Sequence, residues 1–184
     1  MFRRRPLRRR RPGVVPPRRQ AAIERLQRAN QLMAEESYSE AGRIFEELAA
    51  GALKMRLPRT PQLFLQAGNA FIKAGENEHG IELLRNGIQL MGQMGQYRRL
   101  PIVAQRVLNE LKSMGLDKEH KILESEIQQI PSQKGLSLSM ESHQNKPRLP
   151  GKCPQCGGTV HPNEIEWIDD RTASCDYCGS ILQA

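Results

Sequence analysis

Aromatic side chains are scarce, with one Trp, three Tyr and four Phe in 184 residues, so the core has to be built from Leu, Ile, Ala and Met. Long apolar runs are missing too. None approaches the roughly 18 to 20 residues that span a bilayer, and no transmembrane segment is expected. The chain has no glycine-rich phosphate loop, no nucleophile-elbow sequence and no H-E-x-x-H pair. Glu78-His79 and Glu119-His120 are adjacent, so on a helix they point about 100° apart. These absences argue against an enzyme. At roughly 100 to 200 residues per domain, the length allows one ordinary domain, or a modest one with a small module.

Acidic residues are absent from positions 1–20, which hold nine arginines: Arg3, Arg4, Arg5, Arg8, Arg9, Arg10, Arg11, Arg18 and Arg19. The net charge of +8 is therefore the charge of a tail, since residues 21–151 sum to +2 and 152–184 to −3. No 7 to 15 residue apolar stretch follows the arginines, so a secretory signal is not expected. Pro6, Pro12, Pro16 and Pro17 oppose a continuous amphipathic helix. Residues 1–18 read as a disordered Arg-rich arm that orders on an acidic partner, whether nucleic acid, anionic lipid or an acidic protein face. A solubilising tail without a specific partner fits the same composition.

From residue 19 to 130 apolar residues recur at helical spacing, beginning with Ile23, Leu26, Ala29, Leu32 and Met33. Turn residues divide the stretch into six predicted helices, 19–35, 38–54, 61–74, 77–93, 97–114 and 117–129, paired as three hairpins. A 39-residue shift lays residues 67–90 over 28–51, placing Ala29 on Gly68, Leu32 on Phe71, Ala41 on Gly80 and Phe45 on Leu84. A third, weaker copy has His120 and Glu124 where the others have a small residue and an apolar plug. Gly80 is expected at a close approach of helices and Gln62 on a more tolerant face.

A small residue, another twelve on and a large apolar residue four later resemble tetratricopeptide repeats, at a period of 39 to 40 in place of the family's 34. The resemblance implies a mainly α fold, a short α-solenoid of about three helical hairpins over residues 19–130. A generic helical bundle is the alternative reading. The family's first helices line a groove for extended peptides, with an asparagine after the first small residue. Here that place holds Asn30, Asn69 and Asn109, and Gln27, Gln66 and Arg106 stand three positions earlier on the same face. Amides suit capture of a peptide backbone and Arg106 can pair with a carboxylate. Leu26 replaces the lysine of carboxylate-clamping members, so a full clamp is not expected. Asparagines bonding helix to helix fit equally well.

Residues 131–151 lose the periodicity and are rich in Ser, Pro, Gln and Lys, a flexible linker that lets the C-terminal segment sample many positions. Beyond it come Cys153-Pro-Gln-Cys156-Gly and Cys175-Asp-Tyr-Cys178-Gly, with eighteen residues between the pairs, the spacing of a tetrahedral metal site. Residues 152–184 resemble a zinc ribbon, a small β-hairpin module stapled by one structural Zn2+ on Cys153, Cys156, Cys175 and Cys178. Iron in a rubredoxin-like tetrathiolate is the minor alternative. Ile165 and Trp167 are expected on one hairpin face with Asp169-Asp170 in the turn, and His161 as a surface imidazole.

Four thiolates and a divalent ion would bring this module from −3 to −5, which suits protein contact, its own arginine arm included, over phosphate binding. Together these features predict a cytoplasmic, non-enzymatic scaffold that binds a protein or peptide partner. The alternative is a nucleic-acid-associated factor held by the polybasic arm.

Overall fold

The computed structural model describes residues 17–130, 148–162, 165–168 and 171–184. Six helices occur in order: α1 (Pro17–Ala34), α2 (Tyr38–Lys54), α3 (Thr60–Lys73), α4 (Asn77–Gln93), α5 (Leu100–Ser113) and α6 (Asp117–Gln129). Three short strands, β1 (Glu166–Trp167), β2 (Thr172–Ser174) and β3 (Ile181–Gln183), form an antiparallel sheet in that order. The protein is mainly α, as the apolar spacing predicts, with a small C-terminal sheet.

Proline marks three helix starts, where its missing amide would have no partner in any case. Pro17 opens α1, so Arg18 and Arg19 belong to the first turn of a helix and not to the arm. Pro61 and Pro101 sit in the first turns of α3 and α5. The last of these moves the start of α5 to Leu100, later than the expected 97, and the preceding turn closes through the Arg99 amide on the Gln96 carbonyl at 3.1 Å.

The first five helices end alike. Glu36, Arg56, Gly75, Gly95 and Gly115 all have positive φ, between 51° and 84°, and they are almost evenly spaced along the chain. After each, the next amide reaches back to the final helical turn: Ser37 to Leu32, Leu57 to Ala52, Glu76 to Phe71, Gln96 to Met91 and Leu116 to Leu111, at 2.9 to 3.0 Å. This left-handed closure satisfies carbonyls that the helix end would otherwise orphan. One turn geometry applied at near-equal intervals stacks the helices as successive hairpins. Glu36 and Arg56 adopt it without glycine, at a cost of about 1 to 2 kcal/mol each.

Small residues set the spacing between helices. Ala29, Ala41, Ala49, Ala67 and Ala70 are wholly buried, as is Phe45, and Leu84 is 1% exposed. At the α3–α4 crossing a Cβ on Gly68 would lie 2.7 Å from the Gly80 carbonyl oxygen, so the two backbones touch. The third hairpin departs from this pattern, as its sequence does: Leu108 and Leu111 are buried on α5, but α6 buries Leu123 alone. Gln62, expected on a tolerant face, is 5% exposed, because α3 runs between α2 and α4 and is buried on most sides.

Two apolar clusters result. One joins α3, α4, α5 and α6 through Leu65, Ile72, Leu84, Ile88, Val103 and Leu123. The other joins α1, α2 and α3 to the cysteine module, running from Ile23, Leu26 and Leu63 to Val160, Ile165, Tyr177 and Leu182. The module is thus seated on the helices, whereas the composition of 131–151 predicts free sampling. The connector itself, 131–147, lies outside the described residues. Among the described residues no helix is long and apolar enough to cross a membrane.

Candidate metal centre and the helical face that holds it

Each cysteine pair sits on the same tight turn. The Gly157 amide donates to the Cys153 carbonyl and the Gly179 amide to that of Cys175, both at 2.8 Å. The Cys153 amide donates to Gly158 and that of Cys175 to Ser180, again both at 2.8 Å. Gly157 and Gly179 stand at φ 75° and 68°, a conformation a side chain resists, which is why each C-x2-C is followed by glycine.

The two knuckles face each other. Cys153 and Cys178 sulfurs are 3.8 Å apart, as are those of Cys156 and Cys175, and all four lie within 4.8 Å of one another. All four cysteines are buried. Four sulfur donors so placed can hold one metal ion, and they leave a tetrahedral ion no open position for water. Hydrogen bonds from Cys156, Cys175 and the Ser180 hydroxyl hold the Cys178 thiol well below its usual range. Cys156 is pushed up by its hydrogen bonds to Cys175 and Cys178 and by burial. His161 is outside the cluster.

Strands complete the module. β1 pairs with β2, Trp167 opposite Ala173, and Ile165 is buried while Trp167 is partly so. Glu164, Asp169 and Asp170 lie outside the described residues. The third strand, which the hairpin expectation does not include, pairs Leu182 with Ala173 and buries Leu182 to 2% exposure. Its signal in the sequence is the apolar pair Ile181-Leu182 just after the second knuckle.

The helices meet these knuckles with the first member of each hairpin. On α1, Gln27 Nε2 donates to the Gln155 carbonyl at 2.7 Å, and Asn30 Nδ2 donates to Cys156 and to its own helix at Leu26, both at 2.9 Å. On α3, Gln66 Nε2 donates to the Tyr177 hydroxyl at 2.6 Å. Tyr177 is 4% exposed, and its ring lies against Gly158, where a Cβ would come within 2.4 Å. One tyrosine thus ties the two knuckles to each other and to α3.

Three arginines that the groove pattern does not single out complete the set. Arg19 Nη2 donates to the carbonyls of Cys178 and Gly179 at 3.3 and 3.4 Å. Arg59 Nη1 donates to the Tyr177 carbonyl at 3.2 Å, and Arg99 Nη2 to the Asp176 carboxylate at 2.7 Å. These arginines are evenly spaced in the sequence, each at the start of the first helix of a hairpin, and together they track the second knuckle from Asp176 to Gly179. The interval is visible in the sequence, but charge alone assigns Arg19 to the arm.

Of the predicted groove residues, then, Gln27, Asn30 and Gln66 meet the module. Asn69 and Arg106 are partly buried on α3 and α5. Asn109 is exposed and accepts from Gln105 Nε2 at 3.1 Å. Of the arm, Arg18 is exposed on α1, while Arg3, Arg4, Arg5, Arg8, Arg9, Arg10 and Arg11 lie outside the described residues. No family model, curated protein or solved structure matches the chain.

Proposed function

We propose that the chain is a non-enzymatic interaction scaffold of the tetratricopeptide type, working in the cytoplasm through the concave face made by α1, α3 and α5. The observation that carries this reading is the capture of five knuckle carbonyls, of Gln155, Cys156, Tyr177, Cys178 and Gly179, by side-chain donors on or at the start of α1 and α3. A face that binds main-chain carbonyls at repeating positions is suited to extended or turned peptide, whatever its sequence.

The four cysteines hold one structural Zn2+ in this reading. Sulfurs 3.8 Å apart form the edge of a tetrahedron with metal–sulfur bonds of about 2.3 Å, the zinc–thiolate length. Bound there, the ion supplies a staple and no catalysis. Reduced cysteines at such a site belong to a reducing compartment.

Affinity capture from native lysate with the full chain, both as purified and after chelation, tests the scaffold. Reversing Arg59 and Arg99 to Glu should remove the captured partner. Loss on replacing Arg3–Arg11 with serine, with Arg59 and Arg99 indifferent, would transfer the function to an arm that binds nucleic acid. Metal analysis should return one zinc per chain.

A further inference from the structure

The helical face binds its own module chiefly through carbonyls of the knuckle backbone. Those carbonyls point outward together because each turn is wrapped around a pair of sulfurs. Besides the cysteines, Val160, Ile165, Ala173, Tyr177 and Leu182 are the buried apolar side chains of the described part of the module. That core is too small to keep two tight turns in shape once the sulfurs lose their ion. The face therefore recognises a metal-dependent shape.

If the knuckles leave, the face is left with Arg19, Arg59 and Arg99, one per hairpin, and with Gln27, Asn30 and Gln66 between them. Three guanidinium groups in a row need carboxylates and carbonyls in return. Gln66, which now meets a phenol, adds a preference for tyrosine. The present occupant, Asp176-Tyr177, has both features.

We propose that the concave face is a metal-gated peptide site: filled in cis by the knuckles when the four-cysteine centre is loaded, and open to an acidic, tyrosine-bearing strand when the metal is lost. This rests on the scaffold reading above. Tethered in the same chain, the knuckles act at an effective concentration on the order of millimolar, so a free peptide at micromolar concentration competes only after their release.

The test uses the full chain with Arg3–Arg11 replaced by serine, so that the arm contributes nothing, and a labelled peptide of alternating glutamate and tyrosine read by fluorescence anisotropy. Chelation, or Cys175→Ser, should tighten binding at least tenfold over the zinc-loaded chain. Arg59→Glu with Arg99→Glu should abolish that gain. Gln66→Leu should erase the preference for the tyrosine peptide over polyglutamate while leaving polyglutamate binding unchanged, a result that misfolding would not give. Equal affinity in the loaded and chelated states, still dependent on Arg59 and Arg99, overturns the gate and leaves the scaffold standing. Binding indifferent to both arginines overturns the scaffold itself. Tighter binding of oligothymidylate than of the peptide to the chelated chain overturns the acidic-strand occupant.

Discussion

Helices α1 to α6 and the cysteine module meet the same requirement, burial of apolar surface with every backbone group paired, with very different resources. The helices repeat a local solution: small residues at crossings, an apolar plug, and a left-handed turn at near-equal intervals. Each hairpin leans on its neighbours, so stability grows with the number of hairpins. The module has five buried apolar side chains and four cysteines in its described part, and shares a cluster with Ile23, Leu26 and Leu63 of the helices. One region supports itself, and the other gathers four cysteines that can hold an ion and rests on a face lent by the first. Their contact is polar where it is specific, with side-chain donors on the helices and mostly main-chain acceptors on the knuckles, joined by the Tyr177 hydroxyl and the Asp176 carboxylate.

The comparison can be broken most severely at the metal. Chelation or Cys175→Ser should melt residues 148–184 and leave the α4–α6 amides in place, which two-dimensional amide spectra would resolve. A module that stays folded after chelation contradicts a dependence of its fold on the ion. Next in size is Gly80→Leu, whose Cβ would stand 2.6 Å from the Ile72 side chain and 2.8 Å from the Gly68 carbonyl oxygen. It should cost about 3 kcal/mol, the upper end for overpacking, measured by denaturant unfolding of the helices.

Arg99→Glu should act on the contact between the two regions, with little effect inside either. The Arg99–Asp176 pair is largely buried, so its loss should weaken docking by about 1.5 to 3 kcal/mol, with partial recovery when Asp176→Arg is added. Hydrogen exchange at Tyr177 and Cys178 against that in α4 would show whether the loss is confined to the seat. The smallest effects are stabilising. Gly51, in α2, has nothing within 4 Å of where a Cβ would be, and Gly51→Ala should add about 0.5 to 1 kcal/mol. Arg56→Gly should give a similar gain by relieving a φ of 51°. A loss from either change would mean that these positions are packed in a way the helical stack does not require.

The helices are legible in the sequence because burial imposes a period. Ala29, Ala41 and Phe45, repeated as Gly68, Gly80 and Leu84, announce both the elements and their approach. The four cysteines are legible because a site able to hold a tetrahedral ion fixes residue type and spacing together. The seating of the module is not, for a physical reason: Gln155, Cys156, Tyr177, Cys178 and Gly179 take part through carbonyl oxygens, which every residue carries and no sequence pattern marks. The donors do carry a signal, since Arg19, Arg59 and Arg99 recur at one constant interval. What they bind is not written beside them. Gln62 shows the converse, a polar residue that reads as exposed until its helix is found between two others.

Cobalt(II) loaded into the four-cysteine site gives the most direct test of the seat. A paramagnetic ion among Cys153, Cys156, Cys175 and Cys178 shifts nearby amide resonances by amounts that depend on distance and direction. If the knuckles rest on the face formed by α1 and α3, the amides around Asn30 and Gln66 should show large pseudocontact shifts that fit one position of the metal, and those of α6 much smaller ones. Shifts averaged to near zero across α1 and α3, with the module itself still folded around cobalt, would mean that it moves freely on its connector and that the helical face is not its seat.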